Sequence, residues 1–527
     1  MNFLQKVIFH NRINARNFTR CSQSLTKHRK YQISTEKPLE ETIKELLEQS
    51  ASPDDDHWRR MKTTLLKSVR KLTSDNVDAT IVGFCMKFNM LEEAKSFVTF
   101  LENDSEMGEV NPATLAKLMR VYAVRAEHRS LQEAEEKEIF EIYRKLKEKF
   151  EVFDGYTAEG VISSLSLTSR WRECYQLIKT MSLLSVPSVG TYSSVVEAAF
   201  RNSEEKIAIE TIRKAIREGR IPKCSVWIAW IDFCSREKRS IEAFLTFIQD
   251  SELQISDKVV RKLEEHLESL KIPSWRTDIA PDGTCQSCLA SLQPITVTDE
   301  NFTQLQEQFL QKVLIREDVF LKSNPKEVED FRRFIEREKP FNCIVDGLNV
   351  AFAGGKARNP ERQAKNVINI VRHFSRKGQK VLVLGRKHMK GWPQEHLRML
   401  NQHALLFLTD NLSQDDPFLL FAALTSGKDC TIVSRDLMRQ HSHLLDNEDV
   451  KKTFRKWQHT HQFRLETNPG SRIAIKSPPI FSVTAHAVDR DWHVPYQPSY
   501  SPYQLDLFEV PSQWLCFHLP LHESAPK

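Results

Sequence analysis

The chain has 527 residues, is 40% hydrophobic and 28% charged, and carries a formal net charge of +6 at pH 7. That length suits roughly three or four ordinary globular domains, and no apolar run approaches the ~18 residues of a membrane span, so no membrane insertion is expected. The ten cysteines are scattered apart from one Cys-x-x-Cys, which argues against a disulfide framework and for reduced thiols, with a metal as one use for the pair.

Residues 1–35 contain no Asp or Glu, while Lys6, Arg12, Arg16, Arg20, Lys27, Arg29 and Lys30 are spaced among Phe3, Leu4, Val7, Ile8, Phe9, Ile13 and Phe18. A basic, acid-free, amphipathic start has the character of a mitochondrial transit peptide and points to the matrix. It lacks the apolar stretch of a secretory signal, and its other reading is a disordered basic arm. Residues 38–72 read as polar helix followed by a linker at Ser52-Pro53-Asp54-Asp55-Asp56.

From about 75 to 268 the pattern is helical and repeats. Asp78-Ala79-Thr80-Ile81 returns 34 residues on as Pro112-Ala113-Thr114-Leu115, and Val186-Pro187-Ser188-Val189-Gly190-Thr191-Tyr192 returns 35 residues on as Ile221-Pro222-Lys223-Cys224-Ser225-Val226-Trp227. Glu92-Glu93-Ala94 and Arg172-Glu173-Cys174 fall where a second helix opens. Two helices per period of this length make a solenoid in which each unit buries its apolar face on the next. Through Gly190-Thr191-Tyr192-Ser193-Ser194-Val195-Val196 the repeat resembles the pentatricopeptide repeat. The resemblance implies single-stranded or loop RNA read on the concave face, and a protein-binding solenoid is the alternative. Glu159, Ser194 and Ala229, where base choice is expected, form no readable series. About five irregular repeats are expected, with an insertion near Glu127–Glu138.

The helical pattern breaks at Lys271-Ile272-Pro273-Ser274-Trp275, and Pro281-Asp282-Gly283-Thr284-Cys285-Gln286-Ser287-Cys288 follows. A Cys-x-x-Cys in a turn presents two thiolates to one ion, half of a zinc site. A redox pair should instead open a helix after a strand. The C-terminal tail offers Asp491-Trp492-His493-Val494-Pro495 and Trp514-Leu515-Cys516-Phe517-His518, so Cys285, Cys288, His493 and Cys516 make a Cys₃His set. His486, His518, His441/His443 and His459/His461 compete for the same role. Residues 299–338 read as two helices, the second opening at Asn324-Pro325.

The α/β segment spans about 340–480. We expect strands at 343–346, 380–385, 405–409 and 430–433, and helices at 359–376, 393–401, 416–425 and 435–442, hence a parallel sheet with right-handed crossovers. Ile344-Val345-Asp346-Gly347-Leu348-Asn349, Leu405-Leu406-Phe407-Leu408-Thr409-Asp410 leading to Asp415-Asp416-Pro417, and Cys430-Thr431-Ile432-Val433-Ser434-Arg435-Asp436 each deliver carboxylates at a strand end, where open α/β sheets place their sites. Converging carboxylates need a cation, and oxygen-only ligands favour Mg²⁺ or Mn²⁺. Asp346, Asp415, Asp416 and Asp436 are the candidates. Helix capping is the other reading of Asp415, Asp416 and Asp436 and is compatible with metal binding. Asp410 and Asp429 read as turn residues, and Asn349 as the residue that fixes the turn after Asp346. Residues 340–476 hold 22 Lys and Arg against 12 Asp and Glu, a local balance of +10, which suits a polyanion approaching an acidic pocket.

Ile344-Val345-Asp346-Gly347-Leu348-Asn349-Val350, Ser413-Gln414-Asp415-Asp416 and Val433-Ser434-Arg435-Asp436 resemble the NYN/PIN-type metallonuclease domain of the protein-only ribonuclease P family. The order of segments from about residue 75 to the end is similar too, most of all to that of the animal mitochondrial members. The resemblance implies a multidomain fold: a helical pentatricopeptide-repeat solenoid, a small zinc-binding central module, and an α/β NYN/PIN-type domain with a parallel sheet. The corresponding boundaries are 1–40 for the arm, 41–270, 271–338, 339–482, and 483–527 returning to the zinc module. It implies that Asp346, Asp415, Asp416 and Asp436 bind catalytic Mg²⁺ or Mn²⁺, and that Cys285, Cys288, His493 and Cys516 bind structural Zn²⁺. It further implies precursor tRNA as substrate, cut by metal-activated water so that 5′-phosphate stays on the tRNA. A tRNA methyltransferase and a short-chain dehydrogenase are the implied partners. The rival expectations are a non-catalytic RNA-binding scaffold and a broader PIN-type endoribonuclease acting on unstructured RNA.

Overall fold

The computed structural model describes residues 39–49, 53–104, 109–315, 325–353, 359–409, 416–436, 438, 445, 447–468, 472–497 and 511–520. The expected transit peptide lies outside the described residues, as do Asp410, Asp415, His441 and His443. The chain divides into two compact units, Met1–Pro187 and Ser188–Lys527.

The first unit opens with α1 (Leu39–Leu47) and α2 (Asp55–Ser68). Asp54 caps α2 by accepting the His57 N–H at 2.8 Å. The expected linker therefore ends early. Asp55 and Asp56 are helical, with their charges at the positive end of the helix dipole. Three helix pairs follow: α3 (Val77–Lys87) with α4 (Leu91–Asn103), α5 (Pro112–Ala126) with α6 (Glu133–Lys149), and α7 (Gly155–Leu165) with α8 (Arg172–Ser182). The repeated motifs fall at the starts of these helices, as their spacing requires. Within the stretch near Glu127–Glu138 the chain turns before Glu133, where α6 begins, and Arg129 ties the turn to that helix by gripping Glu135 with two bonds of 3.0 and 2.6 Å. Helices α5 and α7 pack so closely that a Cβ at Gly160 would stand 2.5 Å from the Ala116 carbonyl oxygen.

The second unit begins with two further pairs, α9 (Val189–Arg201) with α10 (Glu205–Arg217) and α11 (Cys224–Arg236) with α12 (Glu242–Asp250). After them come β1 (Ile255–Ser256), α13 (Asp257–Ser269) and β2 (Ser274–Thr277). The first helix of several pairs ends alike. Asn89, Ser203 and Lys238 take φ values of 56°, 59° and 51°, and the next N–H (Met90, Glu204, Arg239) reaches back to Cys85, Ala199 and Cys234 carbonyls at 2.9 Å. This closes the helix end without glycine.

The α/β part follows α14 (Asp299–Ile315) and α15 (Pro325–Glu338). It runs β3 (Cys343–Asp346), α16 (Gly347–Ala351), α17 (Pro360–Ser375), β4 (Val381–Arg386), α18 (Gln394–His403), β5 (Leu405–Thr409), α19 (Asp416–Ser426) and β6 (Thr431–Val433). It ends with α20 (Glu448–His461), β7 (Gln462–Asn468) and β8 (Arg472–Lys476). The sheet order is β5-β4-β3-β6-β7-β8. Pairing is parallel from β5 to β7, but β8 returns antiparallel to β7, so the expected parallel sheet is a mixed one with a hairpin at its edge. Successive β3 residues feed opposite cores. Ile344 packs with α14, α15, α19 and α20 residues such as Phe309, Phe331, Leu420 and Trp457. Cys343 and Val345 pack with α17 and α18 residues such as Val367, Val371 and Leu400. Both faces are covered, which is why these strands read as unbroken apolar runs. The helix expected over 435–442 is not borne out where it is described. Asp436 is non-helical, and Met438 takes a φ of 50°.

Three last strands complete a second sheet: β9 (His486–Val488), β10 (Asp491–Gln497) and β11 (Gln513–His518). Its order is β1-β10-β11-β2, with β9 on β10. The C-terminal strands β10 and β11 thus pair with β1 and β2, which lie more than two hundred residues earlier in the chain, on the other side of the α/β part.

The α5–α7 contact gives a direct test. Gly160→Ala is expected to destabilise the folded chain by about 1–3 kcal/mol, the usual cost of overpacking. Gly155→Ala, whose added Cβ would meet its nearest neighbour at 3.4 Å, serves as the control. Urea unfolding of both variants makes the comparison, and equal midpoints would contradict the close approach.

Candidate metal centres

The turn after β2 and the strand pair β10–β11 bring four ligands together. Sγ of Cys285, Cys288 and Cys516 and a ring nitrogen of His493 all lie within 4.8 Å of one another. Each position has a backbone cause. His493 and Cys516 are cross-strand partners, and Cys516 also pairs with Trp275 of β2. The Cys-x-x-Cys turn is closed by the Cys285 N–H donating to the Ala290 carbonyl at 2.9 Å and the Leu289 N–H donating to the Cys285 carbonyl at 3.0 Å. Nε2 of His493 stands 3.2 Å from Cys288 Sγ and 3.8 Å from Cys516 Sγ. Ligands of a tetrahedral Zn²⁺ at about 2.0–2.3 Å are separated by roughly 3.5–4 Å, so the residues fit the ion.

The protonation pattern agrees. Burial, followed by neighbouring His486, lowers the His493 pKa to about 4, so its imidazole is neutral and ready to ligate near pH 7. Burial opposes the Cys285 thiolate, yet backbone N–H groups of Cys288 and Ser287 outweigh it and bring its pKa below the ordinary thiol value. Cys288 and Cys516 are both pushed up, first by burial. Three crowded thiols share negative charge poorly until a cation joins them. The local core is small, with Leu292, Phe481, Val483 and Trp514 as its buried members. Of the competing ligands, His486 lies near but outside the group, its ring centre 5.8 Å from that of His493. His518 instead pairs with Asp491 at 3.0 Å, and His459 and His461 sit on α20.

The candidate carboxylates belong to the α/β part. From β3 the chain passes to β4 and β5 on one side, and β6 and β7 lie on the other. The crevice at the C-terminal ends of β3 and β6 is therefore a topological switch point. Asp346 ends β3 there and is only 3% exposed. Its Oδ1 accepts the Asn349 N–H at 3.0 Å, and its Oδ2 accepts the Asn349 side-chain amide and the Ser434 hydroxyl, the latter at 3.0 Å. Asn349 thus fixes the turn. Gly347 is required in it, because a Cβ would stand 2.6 Å from the Leu384 carbonyl oxygen. Asp436 is exposed, in the loop after β6. Its N–H donates to Ser434 Oγ at 3.1 Å, and its Oδ1 accepts the Met438 N–H at 2.7 Å. One hydroxyl therefore links the two aspartates. Asp416 is the first residue of α19.

Ser434 is the residue that sequence reasoning passed over. It stands in the motif that carries Asp436, but a serine between an apolar strand and a charged pair reads as a turn. Its position opposite Asp346 follows only from the register, in which Val345 is paired with Val433.

The family described as protein-only RNase P matches residues 279–516, which span both candidate centres. The mitochondrial ribonuclease P catalytic subunit of Rattus norvegicus is 27% identical over 394 residues, covering 72% of this chain and 66% of that protein. The chloroplastic/mitochondrial proteinaceous RNase P 1 of Arabidopsis thaliana is 25% identical over 250 residues, covering 46% of this chain and 40% of that protein. The match thus spans slightly less than two thirds of the rat relative's length. In fold, the chain is similar to the crystal structure of the nuclear proteinaceous RNase P 2 of A. thaliana, with a TM-score of 0.58, 16% identity, and coverage of 85% of this chain and all of that one.

Purified protein is expected to carry about one zinc per chain. Cys285→Ser should release it and lower Tm by roughly 5–10 °C, because structural zinc couples directly to folding. Elemental analysis and thermal melting of both proteins check this. A zinc-free protein of unchanged Tm would contradict it.

Proposed function

We propose that this chain, whose residues 279–516 match the protein-only RNase P family, is an endoribonuclease of that family that removes the 5′ leader of mitochondrial precursor tRNAs and leaves 5′-phosphate on the tRNA. The observation that carries this reading is the Asp346 carboxylate, pinned at the β3–β6 switch point and joined to Asp436 through Ser434. The rat relative, named as a mitochondrial catalytic subunit, supports the compartment and the substrate class, and the basic N-terminal arm points to the matrix.

The chemistry assigns each group a task. Asp346 cannot swing away from its three donors, so its oxygens stay fixed at the strand end as hard ligands for Mg²⁺ or Mn²⁺. Asp415 and Asp416 supply the remaining carboxylates. When bound, the ion supplies Lewis acidity that eases deprotonation of the attacking water and stabilises the phosphate charge. Asp436, exposed in the loop after β6, would hold the ion beside Asp346 and so orient that water for in-line attack. The buried Ser434 hydroxyl is committed to a carboxylate and an N–H, so it is no nucleophile. The Cys₃His group would hold Zn²⁺ in a structural role, fixing the ends of the chain segment that carries the nuclease.

A tRNA methyltransferase and a short-chain dehydrogenase complete the proposed assembly. The repeats carry no readable base series, so recognition rests on tRNA shape, and misplacing the scissile phosphate by about 1 Å can cost roughly 100-fold in rate. A partner that grips the tRNA body would restore the positioning. Single-turnover assays with folded and denatured precursor tRNA, at fixed Mg²⁺, test the proposal. We expect one cut at the 5′ end of the mature tRNA in folded precursor only, at least about tenfold faster with the two partners present. Equal cleavage of denatured RNA would favour a broader nuclease, and equal rates without partners would show a self-sufficient chain.

A further inference from the structure

The loop that carries Ser434 and Asp436 has little strand structure to hold it. β6 is three residues long, and its pairing to β7 covers only Ile432 with Gln462 and Val433 with Phe463. What replaces strand pairing is one buried amide. Gln462, the first residue of β7, is 3% exposed. Its Nε2 donates to the Ser434 carbonyl at 2.9 Å and to the Asp436 carbonyl at 2.8 Å. Its Oε1 accepts from Nε2 of Gln458, at 2.7 Å, and Gln458 is itself only 2% exposed. The orientation is unambiguous, because turning the Gln462 amide over would aim its oxygen at two carbonyl oxygens. Both N–H groups of a single side chain are thus used on carbonyls two residues apart in the loop. The same loop sends the Ser434 hydroxyl to Asp346 and the Asp436 N–H to Ser434.

We propose that Gln462, oriented by Gln458, is a positioning residue for the divalent-cation site, clamping the Ser434–Asp436 loop so that Asp346 and Asp436 keep the spacing one ion or ion pair requires. The proposal rests on the reading of those two aspartates as cation ligands. Its physical basis is the narrow tolerance of a small hard cation, which demands oxygens near 2.1 Å in nearly octahedral array. A loop free to drift by several tenths of an ångström would cost affinity. Buried amides are an expensive way to fill space, since each unmade bond leaves a desolvated polar group. Here every polar atom of the Gln462 side chain is engaged with the loop or with the residue that orients it. Both glutamine side chains are buried, and hydrogen bonds tie them to the loop backbone and to each other. Their effect passes through the backbone of the residues that would hold the ion, as outer-shell partners act at other metal sites.

Mn²⁺ binding to the full chain, read from the electron paramagnetic resonance signal of the free ion, tests the proposal without relying on catalysis. Asp346→Asn is expected to weaken Mn²⁺ binding at least about tenfold. Gln462→Met and Gln458→Leu are each expected to weaken it by about three- to tenfold, with the zinc content unchanged. Gln462→Met in an Asp436→Asn background should add less than about twofold, because the clamp acts through that residue. If Gln462→Met does not fold, Gln458→Leu decides, since it leaves both loop carbonyls their donors. Wild-type Mn²⁺ affinity in the glutamine variants, beside a weakened Asp346→Asn, would overturn the clamp and leave the cation reading standing. Full additivity with Asp436→Asn would mark a general loosening and overturn it as well. Unchanged affinity in Asp346→Asn would overturn both.

Discussion

A carboxylate held almost out of water, at the end of a central strand, is the constraint on which the rest of the second unit depends. Asp346 is 3% exposed and must remain charged to serve a cation. That combination is costly unless donors surround the group. The fold meets the demand with Asn349, three residues on, and with Ser434, which is far away in sequence but adjacent in register. The close turn at Gly347, the placement of β6 beside β3, and the amides of Gln458 and Gln462 behind the loop all serve to keep those donors in place.

The Cys₃His module solves a different problem by related means. With few buried side chains of its own, it relies on strand pairing between distant parts of the chain and on thiols that converge within 4.8 Å. Because Cys285 and Cys288 precede the α/β part and His493 and Cys516 follow it, an ion held by the four would close a loop that contains the entire α/β sheet. Such an ion would couple the stability of the module to the positioning of the α/β part.

Much of this was legible in the sequence wherever a segment carried one strong physical signal. β3, β4, β5 and β6 begin and end within a residue or so of their expected bounds, because strands buried on both faces must be apolar throughout. The Cys₃His set was legible from a tight Cys-x-x-Cys and two aromatic-flanked tail segments, and the structure brings all four together. Other features carried no such signal. α20 has buried Val450, Phe454 and Trp457 in an otherwise charged run, and β7 begins with the polar Gln462, so neither was anticipated. Gln458 and Gln462 read as surface residues because glutamine usually is one. The left-handed turns at Asn89, Ser203 and Lys238 were hidden because glycine, the usual marker, is missing. Met438, at a φ of 50°, breaks a segment whose composition favours helix.

The central claim is that the Asp346 pocket cleaves RNA through a bound cation while other surfaces hold the substrate. The most direct measurement compares precursor tRNA binding and single-turnover cleavage in one preparation of Asp346→Asn, across a Mg²⁺ titration. Asparagine keeps the size and part of the hydrogen bonding but lacks the charge. The account predicts tRNA affinity within about threefold of wild type and cleavage reduced at least roughly a thousandfold at every Mg²⁺ concentration. Cleavage within tenfold of wild type at saturating Mg²⁺ would contradict it.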